Sequence, residues 1–254
     1  MIPFSITEAM QSGFYISGAR QMAGKTNLAK WLVKLLIDSG ITVYVCDVSQ
    51  AWLRGTPIPH CVYIPNGRGK IDITRQSTVF DMSALTLGER IAFVNSFAES
   101  IYKSHVNGYE HPELIVFEEA QTYLPNGCMR SLRKYTPVVD YITVGGNYNT
   151  SFGIITQFPA MVDKAPVKAA QQRYFGLSTE ENDKTYIKSF IGKKHLENLI
   201  NLRLGEFLYQ NRGNVSKFQC EKYAPNIKEP APNSTTMQNG YRTTYEYRYV
   251  PCAT

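Results

Sequence analysis

The stretch Ser17-Gly18-Ala19-Arg20-Gln21-Met22-Ala23-Gly24-Lys25-Thr26 ends in a glycine, a lysine and a threonine that together suit a phosphate. A lysine there can reach the terminal phosphates of a nucleotide, and the threonine hydroxyl can ligate magnesium. The loop's N–H groups must curl around the phosphates, which requires small residues at the tight points. The usual spacing puts its first glycine at position 19, but alanine stands there and Gly18 comes one place earlier. Alanine is tolerable if its φ stays negative, and Ala23 keeps the loop lean. The expected nucleotide contacts are the loop and the first helical turn: Gly18, Ala19, Arg20, Gln21, Met22, Ala23, Gly24, Lys25, Thr26 and Asn27.

Further along, the apolar run Leu114-Ile115-Val116-Phe117 ends in Glu118 and Glu119. Glu118 is placed to hold magnesium, through water, and Glu119 to polarise an attacking water. Aspartate is commoner at the first of these positions, and Glu118 is one methylene longer. Gln157 ends another apolar run and can hydrogen-bond a γ-phosphate or the attacking water. Lys25, Glu119 and Gln157 are thus the candidate catalytic residues, Thr26 and Glu118 the candidate metal ligands, and ATP with Mg2+ the expected occupants. Asp47 follows a further apolar run and suits either the site or a structural role. Taken singly, these features read as a glycine-rich turn, two surface acids and a polar strand end. Their order along the chain makes them one site.

That site needs strands to hold it and a helix to aim at the anion. Residues 13–18 read as a buried strand. Leu28, Trp31, Leu32, Leu35 and Leu36 then fall at helical spacing, up to Gly40. Residues 41–48, 61–65, 77–82, 113–120, 150–159 and 172–178 read as strands. Residues 88–105 and 179–192 read as helices, the latter with Thr179 as N-cap and Gly192 as C-cap. Residues 205–223 read as a hairpin turning at Arg212-Gly213-Asn214. Strands alternating with helices predict an α/β fold with a mainly parallel sheet flanked by helices. Acids at the C-terminal end of a strand then lie in the crevice where such sheets bind ligands. After residue 224 the chain turns rich in Pro, Asn, Ser and Thr, so the expected division is an ATPase domain over 1–224 and an arm or tail over 225–254. Tyr241, Tyr245, Tyr247 and Tyr249 in that tail could stack on bases, pack on a neighbouring subunit or form an edge strand.

The 254 residues suffice for one well-cored domain. The N-terminus lacks a basic stretch and an apolar core of secretory type, and no apolar run reaches membrane-spanning length. A cytoplasmic location is the expectation, in the host cell or with the virion if the chain is viral. Five scattered cysteines without a C-x-x-C pair argue against zinc and against a disulfide framework. A net charge of +6 favours phosphate polymers, though weakly by itself.

Residues 17–26, 114–125, 153–163 and 202–213 resemble, in order, the motifs of the HerA–FtsK superfamily of DNA-translocating ATPases. The Thr156-Gln157-x-Pro159-x-x-Val162-Asp163 piece is the most specific, and the likeness runs over residues 10–220. Without added domains, the chain looks most like genome-packaging ATPases of tailless double-stranded DNA viruses, archaeal ones included. The resemblance implies a P-loop NTPase fold of RecA-like, additional-strand type, and ATP hydrolysis that moves double-stranded DNA irrespective of sequence. It implies a homo-oligomeric ring, a hexamer, with capsid or portal-vertex proteins as further partners. Such rings need an arginine offered across the subunit interface. Arg130, Arg133, Arg173 and Arg212 are the candidates, although solvated surface arginine is the ordinary state of each. The loop 125–149 carries Arg130, Arg133 and Lys134 and suits the pore side of a ring. The alternatives are an assembly or secretion ATPase moving protein or virions, a nucleotide switch or small-molecule kinase, and a non-catalytic subunit that keeps nucleotide for assembly.

Overall fold

Alternate residues of the central strands enter different cores. In β6 (Glu113–Glu118), Ile115 and Phe117 join one core while Leu114 and Val116 join the other. In β2 (Thr42–Asp47), Tyr44 and Cys46 face the first and Val43 and Val45 the second. A strand apolar on both faces must be covered on both, which is the condition of a parallel sheet layered between helices. The computed structural model describes residues 2–19, 23–54, 56–64, 71–72, 76–128, 137–224 and 244–245, and it has this architecture.

The remaining strands are β1 (Phe14–Ser17), β3 (Val62–Ile64), β4 (Ile71–Asp72), β5 (Thr78–Asp81), β7 (Thr150–Thr156), β8 (Gln172–Phe175), β9 (Glu206–Asn211), β10 (Asn214–Gln219) and β11 (Thr244–Tyr245). Among the described residues, nine of the eleven strands form one sheet in the order β10-β9-β8-β1-β7-β6-β2-β5-β3, while β11 pairs with β4 apart from it. Neighbours from β8 through β3 are parallel, and β9 and β10 are antiparallel. β7 lies between the strand before the phosphate-type loop and the strand bearing the glutamates, so the additional-strand arrangement is present. Register sets Ser17 beside Thr156, and Glu118 beside Ile155, so the chemistry-bearing strand ends share one edge.

Helices α1 (Ile6–Ser12) and α2 (Lys25–Asp38) cover one face, with Ala9, Leu28, Leu32 and Leu36 in its core. The other face is covered by α3 (Leu87–Val106), α4 (Pro137–Val144), α5 (Lys164–Ala169), α6 (Glu181–Ile191) and α7 (Leu196–Ile200). Helix α1 was not anticipated. It is one short amphipathic stretch, capped by the Ser5 hydroxyl accepting from the Glu8 amide. Helix α4 falls within the predicted pore-side loop, yet it buries Val138, Tyr141 and Ile142. The N-cap of α6 is Glu180 rather than Thr179, and the hairpin turns on Arg212 and Gly213 alone, at φ 47° and 83°. Cys46, Cys61, Cys128 and Cys220 are free buried thiols, and Cys252 lies outside the described residues. Among the described residues, no helix is long and apolar enough to cross a membrane.

At the far end of β6, Glu113 is 1% exposed and accepts from the Tyr44 hydroxyl at 2.8 Å. Its other oxygen lies 3.1 Å from His105 Nε2. Removing a buried acceptor exposes its partners' full desolvation cost. Glu113→Leu should therefore cost about 3 kcal/mol and lower Tm by roughly 6–12 °C, read by thermal unfolding, with nucleotide binding by the folded fraction unchanged.

Candidate active site

β1 ends at Ser17, and the chain enters its loop through Gly18. A Cβ on Gly18 would stand 2.5 Å from the Ala23 Cβ, so the loop closes only around a hydrogen at this position. Gly24 has left-handed φ 76°, which favours glycine, and a Cβ there would press on Gly205 Cα at 3.3 Å. Ala19 is not among the described non-glycine residues with positive φ, which is why its methyl is tolerated. Its amide donates to Leu177 O at 2.7 Å, tying the loop to the exit of β8. Arg20, Gln21 and Met22 lie outside the described residues.

No side chain caps the start of α2, which leaves its first amides and its positive dipole end for an anion. Lys25 begins the helix and donates back to Ala19 O at 3.0 Å. Burial lowers its pKa, and the charges of Glu119 and Glu118 act against that shift. The lysine and both glutamates therefore sit within one electrostatic neighbourhood. Thr26 is half-buried in the same turn. Asn27 is placed otherwise: its side chain donates to Glu221 O at 2.7 Å and accepts from the Tyr223 amide at 2.6 Å.

Glu118 closes β6 at 4% exposure. Burial pushes its carboxyl well above the ordinary range, and Asp47 and Glu119 add to this, while the Ser49 hydroxyl, 3.2 Å away, opposes it. Asp47 is itself fully buried and accepts from the amides of Ser49 at 2.9 Å and Trp52 at 2.9 Å. It thus caps the turn after β2 and also borders Glu118. Lys30 was not singled out from the sequence. It is 5% exposed, donates to Arg54 O at 2.8 Å and Thr56 O at 3.2 Å, and interacts electrostatically with Asp47 and Glu118. Its signal was a lysine among apolar helix positions, one turn beyond Thr26.

Thr26, Ser49, Asp47 and Glu118 offer hard oxygen donors only, the chemistry that suits magnesium completed by phosphate oxygens and water. A buried carboxyl whose charge is disfavoured gains most from a cation beside it. Among the described residues, no group of three or more His, Cys, Asp or Glu forms a self-sufficient metal cage.

Glu119 leaves the strand in left-handed geometry, φ 50° and ψ 51°, at a cost of about 1 kcal/mol. It is half-buried and accepts from Gln121 Nε2 at 2.8 Å. Gln121 Oε1 accepts from the Thr156 hydroxyl at 2.8 Å, which accepts from the Phe158 amide at 3.0 Å. Gln157 lies between those two residues, half-buried, one place past β7.

Of the candidate trans arginines, Arg130 and Arg133 lie outside the described residues, as does Lys134. Arg173 is committed within its own chain. It donates to Val167 O at 2.7 Å and Lys168 O at 2.6 Å, and lies over the Phe190 ring. Arg212 sits at the hairpin tip with its side chain 71% exposed, pairing with Glu8 at 2.9 Å.

No protein-family model and no curated protein sequence matches the chain. Solved structures do. The genome packaging NTPase B204 from Sulfolobus turreted icosahedral virus 2, in complex with ATP-γS, superposes with TM-score 0.60 at 14% identity, over 82% of this chain and 96% of that one. VirB4 of Thermoanaerobacter pseudethanolicus gives 0.57 at 14% identity, covering 85% and 91%. The bacterial conjugative coupling protein TrwB, lacking its first 70 residues, gives 0.62 at 9% identity, covering 88% of each. At these identities the likeness is one of fold, and it agrees with the resemblance read from the motifs.

Proposed function

We propose that this chain is an ATPase that translocates double-stranded DNA, most specifically the packaging motor of a viral genome. The observation that supports the reading is that β1, which leads into the Lys25 loop, and β6, which ends in Glu118, finish at one edge of the sheet on either side of β7, with the charges of Glu119 and Glu118 acting on Lys25. Lys25 and the amides at the start of α2 neutralise phosphate charge. Thr26 and Glu118 would hold magnesium, which would supply positive charge against the phosphates. Glu119 orients and deprotonates the attacking water. The water oxygen bonds to the γ-phosphorus as the bond to the β-γ bridging oxygen breaks, releasing ADP and phosphate. Gln157 contacts the γ-phosphate.

Residues 1–224 are the motor domain and 225–254 an arm. A ring, with six copies the expected number, supplies the interfacial arginine; Arg212 is the exposed one of the two described candidates. The solved structures of similar fold include a genome packaging NTPase and a conjugative coupling protein, and the net charge of +6 suits a polyanion. Capsid or portal-vertex proteins are the docking partners of such a motor.

The test is ATP turnover with and without duplex DNA over a salt series, beside sedimentation for ring size. Duplex DNA should raise turnover, and the increase should shrink as salt rises, because contact to backbone phosphates releases counterions. Turnover indifferent to DNA would point to a protein or virion cargo, and a chain that ignores nucleotide would end the reading.

A further inference from the structure

We propose that Gln121 is a positioning residue that parks Glu119 and releases it when the turn after β7 moves. The inference rests on the assignment of Glu119 as the residue that acts on water. An ionised carboxylate only accepts hydrogen bonds, so the Gln121 amide must turn its NH2 toward Glu119. Its carbonyl then faces Thr156, whose hydroxyl must donate to it. The Thr156 oxygen is left to accept from the Phe158 amide. The chain of donors therefore runs in one direction, from the main chain at Phe158 to the Glu119 carboxylate.

Each link is held by its surroundings. Thr156 is fully buried, as is Ala120, which anchors the turn bearing Gln121. The loop after Gln121 is laced to the turn after β7: the Asn126 amide donates to Met161 O at 2.8 Å, the Asp163 amide to Leu124 O at 3.0 Å and the Gly127 amide to the Asp163 carboxylate at 2.9 Å. Displacing residues 158–161 therefore pulls on both sides of the Gln121 bridge. That turn is also reachable from outside, since Phe158 is 42% and Met161 56% exposed. Glu119 itself is held in left-handed φ, a conformation that persists only while its neighbours enforce it. Hydrogen-bonded through one carboxylate oxygen to a residue of its own turn, Glu119 is held in one orientation; losing the bond frees it to turn.

The experiment measures steady-state ATP turnover, KM and the duplex-DNA stimulation ratio for the full chain, Gln121→Leu, Thr156→Val, the double variant and Glu119→Gln. Both single variants should raise basal kcat about threefold to tenfold, keep KM within about twofold and bring the DNA ratio toward one. The double variant should match the singles, because the two residues form one bridge. A residue that merely supported the fold would lower kcat or Tm without raising basal turnover. The proposal is overturned if basal kcat is unchanged or falls in both singles, or if their effects multiply. Full hydrolysis by Glu119→Gln would instead sink the underlying assignment, so the two failures are told apart. Thr156→Val, a same-shape change at the opposite end of the bridge, keeps the test decisive should Gln121→Leu misfold.

Discussion

Glu119→Gln should lower ATP turnover by about 10²- to 10⁴-fold, the range for loss of a general base, with ATP binding staying within about twofold of the parent chain. The substitution keeps size and shape. Its amide carbonyl can still accept from Gln121, so the bridge to Thr156 survives. Glutamine in place of glutamate at left-handed φ adds no methyl or branch, so the turn bears no new clash. What disappears is the capacity to take a proton and the negative charge beside Lys25. Binding is read from the nucleotide-induced rise in Tm and turnover from released phosphate. Retained binding with lost hydrolysis distinguishes a catalytic glutamate from one that shapes the pocket. Loss of both would reassign Glu119 to the fold, and loss of neither would move the base to another residue.

The parts of this molecule legible in its sequence are those governed by neighbours along the chain. Strand β6 was visible because Leu114 through Phe117 are apolar at every position, as burial on two faces demands. Helix α2 was visible from the spacing of Leu28, Leu32 and Leu36, and Gly24 from its place before Lys25 and Thr26 in the loop motif. The expectation that Lys25 lies near the glutamates came from the resemblance, not from any local pattern. What stayed hidden depends on residues remote in sequence. Asn27 was expected to face nucleotide, but its side chain is claimed by residues 220–223, which no local pattern announces. Arg173 was a free-arginine candidate until carbonyls from α5 and a ring from α6 enclosed it. Gln121 and Thr156 stand in separate motifs with no role linking them until β7 is inserted beside β6 and brings them together. Lys30 reads as a helix-surface lysine until the loop at Arg54 folds over it.

Lys25→Met should abolish nucleotide response while leaving the empty protein as stable as before, or more so. Methionine matches the lysine stem in volume, but carries no charge. In the nucleotide-free chain the ammonium is disfavoured chiefly by burial, with the two glutamates only partly offsetting this. A lysine whose folded pKa is lowered costs stability at neutral pH, where the unfolded chain keeps its proton freely. That cost fades as pH rises through the lowered folded value toward the ordinary 10.5. The Tm advantage of Lys25→Met is therefore largest near neutral pH and shrinks under alkaline conditions. With ATP and magnesium at a hundred times Kd, the parent chain gains about 2.7 kcal/mol, a rise in Tm of roughly 5–11 °C. Losing charge-assisted hydrogen bonds to phosphate weakens binding by about 3 kcal/mol, or ~10²-fold. At the same nucleotide concentration the variant then gains only about 0.4 kcal/mol, under roughly 2 °C. Thermal scans of both proteins, with and without nucleotide, across pH, give all these numbers at once. A variant less stable than its parent when empty would show that Lys25 supports the loop through its bond to Ala19 rather than waiting as an unsatisfied charge for phosphate.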